Sequence, residues 1–177
     1  MNSRELTKCA MCTALCCVAA YIAFPLPFTP GMVTASTLAL SLTAYILTPK
    51  QTFAVIAVYT LVGAAGLPVF AGGSAGLGKL FGPTGGFIFG WMVAYPILSA
   101  VKGSEINFKR YAVANILTAV PITYLGGVIS MCLVMDITPI QALTPAVFPF
   151  IPGDIMKALA AAYLGVRLNS EFRRRRL

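Results

Sequence analysis

The sequence contains no histidine and only five acidic residues among 177. Without histidine there is no imidazole to act as a base near neutral pH or as a nitrogen ligand for zinc. The remaining residues offer no nucleophile–base pair and no metal cluster, so an enzyme working inside a membrane lacks its machinery. Charged residues make up 10% of the chain, where a soluble domain carries about 25%. That scarcity excludes an ordinary soluble domain.

Apolar sequence fills the space. Hydrophobic residues account for 58% of the chain and the mean hydropathy is +0.85. At roughly 20 residues per span, the length suits one domain of about six spans over residues 1–177. The first apolar stretch, Cys9 to Ala23, has no A-x-A-type cleavage site and runs into Phe24-Pro25-Leu26-Pro27. It reads as a first span rather than a cleavable signal peptide. The expected segments are Leu6–Phe24, Met32–Leu47, Thr52–Ala65, Gly85–Val101, Ala112–Val134 and Gly153–Leu168, separated mostly by proline and glycine breakers. The fold expected is an all-α integral membrane protein with six transmembrane helices.

Charge placement orients it. With both termini cytoplasmic, the inner segments hold eleven of the thirteen basic residues: Arg4, Lys8, Lys50, Lys102, Lys109, Arg110, Arg167 and Arg173 to Arg176. That excess is the positive-inside pattern. The Arg173–Arg176 run beside a helix end is expected to meet anionic lipid headgroups rather than nucleic acid. Only Lys79 falls on the outer side, and Lys157 lies within the last span.

Two motifs invite other readings. Cys9, Cys12, Cys16 and Cys17 include a C-x-x-C. Their i, i+3, i+7 spacing beside Ala10, Thr13, Ala14 and Ala20 suits close helix packing rather than a metal. Gly73 to Leu80 fits G-x-x-x-x-G-K but carries leucine where a P-loop needs the Ser or Thr for magnesium. No strand precedes it, so nucleotide binding is not expected. Any ATP hydrolysis would fall to another subunit.

The segment containing that false P-loop is informative in another way. Seven of the fifteen residues from Gly72 to Gly86 are glycine, forming an outer loop between the third and fourth helices. Irregular backbone at membrane depth must be buried in protein or line a cavity, and glycine lets amides approach a ligand closely. A lid or binding loop is expected here.

Asp154 and Lys157 are the sharpest polar signal. They lie at i, i+3 at the outer start of the last helix, where a carboxylate favours the helix dipole. Two readings stand: a neutralised helix-start ion pair, or a pair turned toward a polar ligand, as charges in such sequence commonly are. Phe87, Trp91 and Tyr95 form a stripe at i, i+4, i+8 at the same depth, consistent with a cavity wall or with packing. Asn115 and Thr118 are expected to hydrogen-bond between helices.

Three blocks carry a family resemblance. Gly66-Leu-Pro-Val-Phe-Ala-Gly-Gly73, Gly82-Pro-Thr-Gly-Gly-Phe87 and Phe150-Ile-Pro-Gly-Asp-Ile-Met-Lys157-Ala158 resemble the signature blocks of BioY, the substrate-binding S component of energy-coupling factor (ECF) biotin transporters. The likeness runs through essentially the whole chain. One departure is Ser36, within Met32 to Leu38, where family members commonly carry glutamine.

The resemblance implies a bacterial plasma-membrane protein that binds biotin near the extracellular face, under the first loop and the glycine-rich loop. A transmembrane coupling subunit and two ATPase subunits would drive a cycle in which the S component topples. The A-x-x-x-A pattern at Ala10 to Ala14 marks the first helix as the docking face for that subunit. Biotin would be the transported substrate, with no cofactor and no metal. Asp154 could accept from a ureido N–H, and Lys157 could donate to the ureido oxygen or the tail. Trp91, Phe87 and Tyr95 would wall the bicycle, and glycine-loop amides, including Gly73 and Gly85 beside Thr84, would close over it. Lys79 has two readings, a partner for the tail carboxylate or a solvated cation. The alternatives are an S component for another vitamin and a non-transport intramembrane enzyme.

Overall fold

The computed structural model describes residues 2–174, and 74% of it is helical. Arg175 and Arg176 of the basic run lie outside the described residues. Helix α1 (Ser3–Ala19) starts at a reciprocal cap: the Asn2 side chain accepts from Ser3 N–H, and the Glu5 carboxylate accepts from Asn2 N–H. It ends five residues before the expected boundary. Ala23–Pro25 instead forms strand β1, paired antiparallel with β2 (Met32–Thr34), so the second segment also begins as a strand. Pro25, Pro27 and Pro30 force this, because each pushes the preceding residue into extended backbone.

Helices α2 (Ser36–Ile46) and α3 (Pro49–Ala64) follow. A 3-10 turn at Ala71–Gly73 and the short α4 (Leu77–Leu80) then lead into α5 (Gly85–Val101). Helix α6 (Phe108–Ala114) continues through a π-helical stretch, Asn115–Ala119, into α7 (Val120–Met135). Pro121 explains the π-turn: it has no N–H for the carbonyl four residues back, and Val120 N–H reaches past to the Asn115 carbonyl. Helix α8 (Pro139–Ala146) meets α9 (Ile151–Arg174) at a bend of 57°.

The expected segments fall on α1, α2, α3, α5, the α6–α7 rod and α9, while α4 and α8 are additional short helices within expected loops. By length and apolarity alone, one helix, Phe108–Met135, suffices to cross a bilayer, and the bent α8–α9 pair could make a second. Helices α2 and α5 are apolar but shorter. Glycine sets the closest crossing: a Cβ on Gly86 would strike the Gly126 carbonyl, and one on Gly126 would strike the Gly86 carbonyl.

The core is apolar, but so is much of the surface. Large apolar side chains face outward, including Leu117 at 69%, Leu133 at 79% and Met156 at 71% exposed. Ser41, Thr43, Ser99, Asn115, Thr123 and Asp154 are buried. Asn115 Nδ2 donates to Ser41 Oγ at 2.8 Å and to Tyr45 Oη at 3.2 Å, tying α2 to the π-turn. Thr118 bonds only back to the Ala114 carbonyl within its own helix. The cysteine face of α1 is buried at Cys9, Cys12 and Cys16, while Ala10 and Ala14 lie on the exposed side.

Candidate functional site

A cavity opens where α2, α3, α5, α7 and α9 converge beneath the two loops. The cavity volume is about 70 Å³. Asp154 and Lys157 form its polar floor. The α9 start places Asp154 in the first turn, 7% exposed. Lys157 Nζ lies 2.6 Å from Asp154 Oδ1 and donates to the Thr34 carbonyl at 3.0 Å. Thr37 Oγ1 donates to Asp154 Oδ1 at 3.2 Å, and Tyr124 Oη donates to Oδ2 at 2.8 Å.

The residual capacity of this pair follows from counting. An ionised carboxylate offers about four lone-pair positions and an ammonium three protons. Three positions on Asp154 and two protons on Lys157 are committed within the protein. One acceptor position on Oδ2 and one proton on Nζ remain, on two residues that both line the cavity. The pair can therefore accept from one N–H and donate to one oxygen.

Three more polar atoms are uncommitted. Tyr59 Oη, Trp91 Nε1 and Thr123 Oγ1 are buried without a partner among the described residues, and all three residues line the cavity. Buried polar groups without partners cost about 1–3 kcal/mol each, so three in one cavity wall leave donors free for whatever fills the space. Phe87 and Trp91 form an aromatic side, with the Phe87 ring 6.2 Å from Phe150 and Trp91 6.3 Å from Tyr59. Lys79 and Thr84 complete the lining. Burial lowers the Lys79 pKa below its ordinary 10.5, a penalty that an anionic ligand would offset.

The loops are stitched together over this space. Thr29 Oγ1 donates to the Pro145 carbonyl at 2.6 Å, Gly72 N–H donates to the Ala20 carbonyl at 3.0 Å, and Met32 packs against Gly72. Gly72, with φ of 67°, leaves no room for a side chain there.

Of the expected site residues, Asp154, Lys157, Trp91, Phe87, Lys79 and Thr84 come together. Three do not. Tyr95 is outside this cavity but lines a smaller adjoining pocket with Asp154 and Lys157, and it donates to the Thr37 carbonyl at 3.4 Å; its place two turns along α5 sets that depth. Gly73 N–H is committed to the Phe70 carbonyl and Gly85 N–H to the Gly82 carbonyl, both in turns. Gly85 is small because the Leu80 carbonyl abuts it. The expectation of free glycine amides over a ligand is therefore corrected. Sequence reasoning missed Thr37, Tyr59, Thr123 and Tyr124; the one signal was hydroxyl groups inside otherwise apolar segments.

Fold and site together define a small helical binding protein with a largely apolar exterior and a cavity of mixed aromatic and polar lining. The chain belongs to the BioY family, which it matches over residues 1–174. It is 33% identical over 166 residues to the biotin transporter BioY of Thermotoga maritima, covering 94% of this chain and 96% of that one. It is 34% identical over 169 residues to the probable biotin transporter BioY of Pyrococcus horikoshii, covering 96% and 98%. In fold it matches a crystallised S component for biotin from an ECF-type ABC transporter, with TM-score 0.87 at 23% identity over 96% of this chain and 95% of that one. The S component of a bacterial ECF transporter matches with TM-score 0.60 at 18% identity, covering 98% of both chains.

Proposed function

We propose that this protein is the biotin-binding S component of an ECF-type importer. The observation that carries the reading is an uncommitted acceptor on Asp154 and an uncommitted proton on Lys157, both residues lining one cavity with an aromatic side. Biotin's ureido ring fits that couple: one N–H donates to Asp154 Oδ2, and the ureido oxygen accepts from Lys157 Nζ. Trp91 and Phe87 flank the apolar bicycle. The tail carboxylate meets Lys79 and Thr84, where pairing restores the charged form that burial disfavours.

Six helices cross a bacterial plasma membrane in this reading, with both termini cytoplasmic. The outward apolar side chains and the eleven basic residues at the inner ends support it. Eight of the eleven residues of the short α2 are buried, so it need not meet lipid along its length. The exposed α1 face bearing Ala10, Ala14, Met11 and Val18 is the docking surface for a coupling subunit, which works with two ATPase subunits. Isothermal titration of the purified chain against biotin, riboflavin and thiamine tests the proposal. Saturable heat with biotin alone supports it, and tight binding of another vitamin without a biotin signal overturns it.

A further inference from the structure

A second cavity lies at the opposite end of the bundle, between the start of α1, the end of α2, the α5–α6 turn and the end of α9. Its volume is about 340 Å³, several times that of the outer cavity. Lys8, Lys102 and Arg173 line it with Ser104 and Tyr111, and no carboxylate does so among the described residues. None of the three cations has an ion-pair partner among the described residues; the neighbouring Glu171 pairs with Arg174 at 3.5 Å. Lys102 Nζ donates to the carbonyls of Ala44, Tyr45 and Leu47 at 2.6–2.8 Å. It is fixed in place as the cap of α2 with all three protons committed to carbonyls, and no carboxylate among the described residues neutralises its charge. Lys8 Nζ is held 5.0 Å above the Phe172 ring.

A donor is available as well. Tyr111 Oη accepts from Asn169 Nδ2 at 3.1 Å, and its own proton has no acceptor among the described residues. Three positive charges and a hydroxyl proton around one space call for an anion with several oxygens. The remaining wall is apolar: Ile46 and Ile106 line the same cavity, and Leu6, 58% exposed, and Phe108, 42% exposed, face outward nearby in sequence. An anion carrying an apolar extension fits both features better than free phosphate.

We propose that this cavity binds the phosphate of an anionic phospholipid from the inner leaflet. The proposal rests on the orientation given above, in which this end of the bundle meets the cytoplasmic leaflet and its anionic lipids. A seated lipid would bridge α1, α2 and α9, which carry the docking face, the core and the ion pair.

Thermal melting of the purified protein in neutral detergent, titrated with short-chain phosphatidylglycerol, phosphatidylcholine or glycerol 3-phosphate, tests it. Phosphatidylglycerol should raise the melting temperature at concentrations at which phosphatidylcholine does not. K8Q/R173Q should shift the phosphatidylglycerol midpoint upward roughly tenfold or more, from the attraction of two cations for an anionic lipid. K50Q/R167Q removes two cations outside the cavity and should leave the midpoint nearly unchanged. An equal loss in both variants would reduce the effect to general surface charge and overturn the site. Stabilisation by glycerol 3-phosphate at the same concentration would make the ligand a soluble phosphate and overturn the lipid assignment. Biotin titration on the same preparations reports separately on the outer cavity: its failure in the unmodified protein counts against the transport reading, whatever the lipid result.

Discussion

Replacing Tyr59 with phenylalanine separates binding from folding more cleanly than any charge substitution. The Tyr59 ring is 1% exposed and packs edge-on against Phe70 at 5.6 Å, contacts that phenylalanine keeps. Only Oη is lost, and it has no partner among the described residues. Removing an unsatisfied buried hydroxyl relieves a cost of about 1–3 kcal/mol, so the free protein should melt at the same temperature or higher. On the proposed reading, the hydroxyl that lines the cavity donates to an acceptor of biotin in the complex. The same 1–3 kcal/mol then disappears from binding, weakening affinity roughly fivefold to 150-fold. Titration calorimetry and thermal melting on one preparation read both quantities. Unchanged affinity would show that the hydroxyl does not serve the ligand, and a lower melting temperature would show that it serves the fold.

The ion pair behaves differently because it is shared between protein and ligand. Asp154→Asn should weaken biotin binding roughly tenfold to a hundredfold, from loss of a charged acceptor. It should also lower the melting temperature, since Lys157, Thr37 and Tyr124 all use the carboxylate; normal affinity would remove the ligand from α9. Lys157→Met should cost a similar factor, and the double mutant should lose less than the sum of the two, because each single leaves a partner stranded; strict additivity would contradict the coupling. Ala14→Leu should reduce co-purification with a coupling subunit while leaving biotin affinity within about twofold, as bulk on a small-residue face blocks close approach; wild-type yield would refute it. Lys79 attracts the tail only while protonated, and burial moves its pKa below 10.5. Biotin affinity should therefore fall as pH rises through the alkaline range below 10.5, a fall that Lys79→Met should abolish; identical pH profiles would detach Lys79 from the ligand.

Particular residues explain what the sequence made legible. Asp154 and Lys157 stood out because charge is rare and costly in apolar sequence, and Phe87 and Trp91 followed from helical spacing. The same spacing misled at Tyr95: periodicity gives the face of a helix but not the depth at which a cavity ends. Gly73 and Gly85 were read for their amides, yet their roles are turns and a close approach to Leu80. Glycine content cannot tell a free N–H from a committed one. Thr37, Tyr59, Thr123 and Tyr124 were hidden because a neutral hydroxyl in a span commonly bonds to its own helix, as Thr60 does to the Ile56 carbonyl. Which hydroxyls are left over depends on how five helices pack. The β1–β2 hairpin was signalled by three X-Pro steps that were read only as breaks.

The structure of the protein with biotin bound tests the central claim most directly. The account predicts a ureido N–H donating to Asp154 Oδ2 and the ureido oxygen accepting from Lys157 Nζ, each at about 2.7–3.2 Å between heavy atoms, with the bicycle against Trp91 and Phe87. Biotin seated elsewhere, or held in this cavity with its ureido ring turned away from Asp154 and Lys157, would contradict it.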